Sequence, residues 1–330
     1  MTTTRHHSTR SARSFPGRAR GAFARSVACL QAGVALLSAG SALAAGPGSG
    51  SADLSPLSAV TAGSSGSWSI TYRAEEGFPH STGGAVDVEV PAGWTPPTLT
   101  VGQPGQITVS SPHVSLVTIL PPRTIRLIVG DSPFQKFNIG DSVVVVYGGS
   151  GAAAATASTA APATASFHVY TDPNTGDGIT TAEVSGGPLS VAVVPAAMAS
   201  VRIENAAGAA IGAFAASADV DTTQLFLRGY DSFGNSLGLV NGAWGVAGGI
   251  GSVAPLSGSS VTLTITTAGS GSVSADAGGF SDATGSITVT AGAYIGLRFG
   301  AASAVVAGAG LPVTVEAVDS DGNVVVSGPM

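Results

Sequence analysis

Leu225–Leu237 reads LFLRGYDSFGNSL, and Val313–Val325 reads VTVEAVDSDGNVV. In each, an alternating apolar segment is broken by D-S-x-G-N, and a new apolar step follows. A strand sends successive side chains to opposite faces, so each segment predicts a strand with one buried face. The pentapeptide is turn chemistry: Asp231 and Asp319 can accept from amides two residues on, and Gly234 and Gly322 supply positive φ. Asn235 and Asn323 tolerate the left-handed region. The motif reads first as a hairpin turn, and as a binding site only if something more is found beside it. Asp231 and Asp319 stand 88 residues apart, close to the roughly 100 residues of one two-sheet sandwich.

Working outward, the same period recurs. Trp68, Ile70 and Tyr72 share a face, as do Val86, Val88 and Val90, then Phe167 and Val169, then Leu189, Val191 and Val193. Further on, Val261, Leu263 and Ile265 alternate with threonines, and Ile287 is followed by Val289. Val143–Val146 (VVVV) predicts a strand buried on both faces, or one crossing a sandwich corner. Turn pairs such as Gly83-Gly84, Pro121-Pro122 and Gly248-Gly249 punctuate these runs. Valine, threonine, serine and glycine dominate, lysine and glutamate are scarce, and charged residues are only 10%. Strand and turn formers without a 3.6-residue period after Ala45 predict an all-β chain.

The two D-x-x-G-N segments, together with Gly285–Gly292 (GSITVTAG) as a closing strand, resemble the bacterial immunoglobulin-like repeats of invasin-type surface proteins over roughly residues 194–330. That resemblance implies tandem immunoglobulin-like β-sandwiches acting as spacers or adhesive modules. Residues 52–193 are expected to form a different sandwich, marked by WSITY, GGAVDVEVPAGWTPP and GDSVVVVYGG. Within it, Gly148–Ala165 is low in complexity and predicts a mobile loop. A second sandwich is expected over 194–292. From 293 to 330 a further repeat begins. Ser236–Ala291 follow the first D-x-x-G-N but only Val324–Met330 follow the second. A truncated repeat, with a longer protein continuing past Met330, is therefore expected, and completion by a partner's strand is the other reading.

Six arginines and no acid precede Ala45. The apolar run Ser26–Ala44 follows and closes on Ala42-Leu43-Ala44, the order of a secretory leader cleaved after Ala44. Residues 45–51 would then be a flexible N-terminus. Removing those six from 13 basic residues leaves seven against 19 acidic, a net of −12. Such a chain repels phosphate backbones, which excludes nucleic acid as a partner. Cys29 is the only cysteine and falls in the leader, so disulfide and thiol chemistry are excluded from the exported part. No later segment is apolar enough to span a membrane. The expected place is outside the cell, with an extracellular protein or glycan as partner.

Chemistry-bearing residues are few. After the leader the histidines are His80, His113 and His168, with no zinc spacing among them and no G-x-S-x-G elbow. The sharpest metal candidate is Asp172–Glu183 (DPNTGDGITTAE). Asp172, Asn174 and Glu183 fit positions 1, 3 and 12 of a calcium loop, with Ile179 at 8, but Gly176, Asp177 and Gly178 break the middle. A polar hairpin is the preferred reading, with calcium the only cofactor to consider. Asp87 and Glu89 read as a solvated face, and Trp68 as core. Trp94, between Gly93 and Pro96, is the tryptophan expected to be exposed and to stack on a sugar. No catalytic residue is expected, so the reading is a non-enzymatic surface or secreted protein. The alternative is the accessory modules of a larger secreted enzyme.

Overall fold

Alternation becomes stacked sheets. The computed structural model describes residues 48–78, 83–130, 136–173, 181–219, 222–301, 304, 306–311 and 313–325. The leader, His80 and the centre of the calcium-like loop lie outside the described residues.

The first sandwich carries β1 (Ser51–Ser55), β2 (Val60–Thr61), β3 (Ser65–Gly66), β4 (Trp68–Arg73), β5 (Gly84–Glu89), β6 (Ile107–Ser110) and β7 (Val114–Leu120). It continues with β8 (Thr124–Val129), β9 (Ser142–Tyr147), β10 (Ala155–Thr156), β11 (Ala163–Asp172), β12 (Ala182–Glu183) and β13 (Leu189–Val194). One sheet runs β1-β4-β9-β6, and the other runs β2-β13-β11-β5-β8-β7 with β12 beside β11. Trp68, Ile70 and Tyr72 from one sheet meet Val86, Val88, Leu127, Phe167 and Val169 from the other in a single core. Each large side chain so buried is worth about 1.5–3 kcal/mol.

Three local expectations are corrected. Of the four valines in β9, Val143 and Val145 are buried, while Val144 and Val146 are half-exposed. The strand lies inside its sheet, between β4 and β6, but only one face of that sheet is covered. The low-complexity stretch is not a free loop. It holds a 3-10 turn at Gly151–Ala153, β10 paired to β3, and the start of β11, with Ala153, Ala155 and Ala157 buried. Methyl side chains let this backbone lie close against the sheets. Gly48–Ser51, expected to be flexible, is tied down. The Gly48 amide donates to Thr171 Oγ1 at 2.9 Å, Tyr72 Oη donates to the Ser49 carbonyl at 2.9 Å, and Ser51 begins β1.

The second sandwich carries β14 (Met198–Glu204), β15 (Phe214–Ser217), β16 (Thr222–Asp231), β17 (Ser236–Leu239), β18 (Gly242–Ala247) and β19 (Gly251–Ala254). β20 (Ser257–Gly258), β21 (Ser260–Ile265), β22 (Gly269–Ala277), β23 (Phe280–Ala283) and β24 (Ile287–Thr290) complete it. β14-β16-β21-β19 with β17 faces β15-β24-β22-β18-β20 with β23. Leu225, Leu227, Leu263, Val273 and Ile287 are buried between them. Trp244 packs at the edge of this core and donates from Nε1 to the Gly258 carbonyl at 2.9 Å. A last antiparallel pair follows, β25 (Gly296–Ala301) and β26 (Val313–Val318). The fold class is the one read from the sequence: all-β, with tandem two-sheet sandwiches of immunoglobulin-like kind.

Candidate functional site: two Asp–Asn joints

Strand β16 ends at Asp231, and the chain turns back through Gly234 (φ 85°) into β17. Asp231 Oδ1 accepts from the amides of Phe233 at 2.9 Å and Asn235 at 2.8 Å. The first closes on an amide two residues on, and the second reaches one four residues on, across the turn. Two further sets reach outside the hairpin. Asp231 Oδ2 accepts from the amide of Ala196 at 2.9 Å, in the linker between the sandwiches. The Asn235 carboxamide bridges to the first sandwich: Nδ2 donates to the Thr159 carbonyl at 2.7 Å, and Oδ1 accepts from the Ala161 amide at 2.9 Å. Asn235 Nδ2 also donates to Asp231 Oδ2 at 2.8 Å, so the two side chains hold each other in place.

The second copy of the motif repeats this bond for bond. Asp319 Oδ1 accepts from the amides of Asp321 at 3.0 Å and Asn323 at 2.8 Å. Asp319 Oδ2 accepts from the linker amide of Gly292 at 2.7 Å. Asn323 Nδ2 donates to the Thr266 carbonyl at 3.0 Å and to Asp319 Oδ2 at 2.9 Å, while its Oδ1 accepts from the Ala268 amide at 2.9 Å. Each motif is thus a joint: aspartate grips the linker, and asparagine plugs into a backbone socket on the preceding sandwich.

Electrostatics follow from this geometry. Burial works to raise the Asp231 pKa, but the hydrogen bonds from the Asn235 side chain and from the Ala196, Asn235 and Phe233 amides outweigh it and hold it at about 2. At Asp319 burial again acts to raise the pKa, and the Gly292 amide and Asn323 bonds win, leaving it below its ordinary value. Both are mostly buried carboxylates stabilised by amide donors rather than by a cation.

The joints differ at one position. Phe233 lays its ring on the Cα of Gly63 in the first sandwich, where any larger side chain would collide with it. Asp321 stands at that place in the second motif. The second joint adds a grip of its own: Asp219 accepts from the Ala293 amide, and Gly292 lies so close to the Asp219 carboxylate that a β-carbon has no room. Sequence reading missed the sockets because they are backbone groups. The one trace of them is T-x-A at Thr159–Ala161 and again at Thr266–Ala268.

The other candidates disperse. Trp94 is 5% exposed, in edge contact with Trp68 at 4.5 Å and Phe167 at 5.4 Å, which corrects its expected role as a sugar platform. The turn from Pro91 folds the indole under the sheet instead of outward. Asp87 faces outward but is only 5% exposed, because Arg126 covers it with bonds of 2.8 and 2.6 Å. Its neighbour Glu89 pairs with Arg123 at 3.2 Å. In the calcium-like loop Asn174 and Asp177 lie outside the described residues. Asp172 is buried at the end of β11. Glu183 sits opposite Tyr170 in a β11–β12 hairpin, and its Oε1 lies 2.8 Å from His168 Nδ1. His113 Nε2 lies 3.7 Å from Asp141 and its ring meets Phe137 edge-on. Among the described residues no group of three or more His, Cys, Asp or Glu side chains could hold a metal, and no helix is long and apolar enough to cross a membrane.

No family model and no curated protein matches the chain. Solved structures similar to it include domains 5–6 of the S-layer protein SbsC, at 12% identity over 72% of this chain and 96% of that one, with a TM-score of 0.20. A variant of BcpA, the major pilin subunit of Bacillus cereus, matches at 10% identity over 84% of this chain and 69% of the pilin, with a TM-score of 0.30. AvmM, described as catalysing macrocyclization in alchivemycin A biosynthesis, matches at 13% identity over 43% of this chain and 91% of its own, with a TM-score of 0.22. Scores of this size establish no common fold with any of them.

Proposed function

We propose that this chain is an exported, non-enzymatic bacterial protein of the cell surface or medium, whose sandwiches serve as spacer and adhesive modules of the invasin-like kind. One observation carries the reading: the same Asp–Asn joint recurs at two successive junctions and fixes each unit to the one before it. Modules held in a set relation by side-chain bonds to the backbone at each junction suit a spacer better than a hinge between working parts. The basic, apolar, small-residue order ending at Ala44 supplies the export half of the reading.

The test is the shape of the exported chain. Small-angle scattering of the protein and of its Asn235→Ala and Asn323→Ala variants should show an extended particle whose distance distribution broadens in each variant. Identical curves for all three would remove the joint as a reason for the spacer reading. N-terminal sequencing of protein recovered from outside the cell should begin at Ala45.

A further inference from the structure

The sheet edges of the two sandwiches are unequally protected. β2 and β20 are two residues long, and β6, β15 and β19 are four. β1 carries Asp53 and β14 carries Arg202 and Glu204. Short or charged edges are the usual means by which a sheet avoids pairing with another chain. β7 has neither protection, and its one irregularity, a register shift against β8 between Val114 and Leu116, leaves Leu116–Leu120 regularly paired. It ends its sheet beyond β8, runs for seven residues as VSLVTIL, and contains no charge. Leu116 is 52% exposed, while Val117 and Ile119 rest against the core.

We infer that β7 is a docking edge for a second copy of this chain, paired antiparallel about a two-fold axis through Thr118. The sequence of the edge argues for that occupant. Leu116-Val117-Thr118-Ile119-Leu120 reads nearly the same in both directions. Antiparallel self-pairing centred on Thr118 places Leu116 opposite the other copy's Leu120, Val117 opposite Ile119, and Thr118 opposite itself. The leucines and threonine line the outer face, and the β-branched pair continues the core face. Slippage by one residue would turn the core-facing pair to solvent, so the register is set by the pattern. A closed two-fold contact needs a patch that complements itself, and this one does.

The contact is small. Five paired residues span about 17 Å of strand, and the area they bury falls below the roughly 1,200 Å² of a standard stable complex. The pair is therefore weak in dilute solution and grows strong where copies are held side by side, since tethering raises the effective concentration. Both copies are acidic and the edge itself is uncharged, so added salt strengthens the association by screening the repulsion. This inference goes beyond the spacer reading and does not depend on it.

The decisive experiment uses the chain with Cys29→Ser, which leaves no thiol, and then Thr118→Cys. Under mild oxidation the Thr118→Cys chain should form a disulfide-linked dimer at least about tenfold faster than a Ser190→Cys control on an exposed face, because pairing raises the local thiol concentration. In sedimentation, the unsubstituted chain should self-associate reversibly, more so in high salt. Thr118→Lys should abolish this with an unchanged circular dichroism spectrum, and Thr118→Val should preserve it. Cross-linking no faster than the control, a monomer at millimolar concentration in both low and high salt, or equal association of Thr118→Lys would each overturn the proposal. Capture of an unrelated extended peptide without self-association would also do so.

Discussion

The second sandwich and the hairpin β25–β26 carry the same strand pair with opposite fates. Aligned on Asp231 and Asp319, the pair Ile203–Leu227 corresponds to Phe299–Val315, and Val201–Gly229 corresponds to Leu297–Ala317. In the sandwich Val201, Ile203, Leu225 and Leu227 are 6%, 1%, 0% and 0% exposed; Leu297, Phe299, Val313 and Val315 are 53%, 67%, 50% and 53% exposed. Yet the turn and the joint are equally well formed in both. Local chemistry therefore suffices for the motif and its socket, whereas burial needs a facing sheet. The alternating pattern states only which side chains are to be covered.

The largest test of this contrast is a matched pair of truncations. Leu227→Ala should cost about 2–5 kcal/mol in urea unfolding of the second sandwich, while Val315→Ala, at an exposed site, should stay within about 0.5 kcal/mol. Equal losses would mean that the hairpin face is covered after all. Next in size is the asparagine. Asn235→Ala removes two bonds to the first sandwich and should lower stability by on the order of 1 kcal/mol, with Asn323→Ala matching it if the joints are equivalent.

Acid gives a third test. Asp231 remains ionised in the folded chain down to about pH 2 but protonates near its ordinary 3.8 when unfolded. Its contribution is therefore fully present above about pH 4 and is lost as the pH falls through the folded value. Asp319 shifts in the same direction. Acid unfolding followed by fluorescence should steepen in that window, and Asp231→Asn should flatten it. The smallest effect is reserved for Phe233→Ala, within about 0.5 kcal/mol, since the second joint forms with Asp321 at that place.

The sandwiches were legible because each buried face is written as alternation along a single strand. β4, β8 and β21 follow the rule throughout, whereas β11 ends on the buried pair Thr171-Asp172 and β5 is buried at five successive positions. The tetravaline strand misled because residue type says nothing about whether a sheet has a cover on its second side. Trp94 misled because glycine and proline neighbours mark a turn without marking its direction. The joints were half legible. Asp231 and Asn235 announced a turn, but the atoms they reach are peptide groups of Thr159, Ala161 and Ala196, which any residue supplies. Only the recurrence of the geometry distinguishes a joint from an ordinary hairpin.

The placement of the joints also fixes a path for mechanical load. The first joint holds the Asp231 end of β16. At the opposite end of the sandwich the second joint takes hold of Thr266, one residue beyond β21. β16 and β21 are direct neighbours, aligned from Thr222 opposite Thr264 to Phe226 opposite Ser260. Load carried through the joints thus enters one strand, crosses to its neighbour and leaves by the far end. The ladder between them is stretched lengthwise, all of its rungs together, instead of being peeled open one rung at a time.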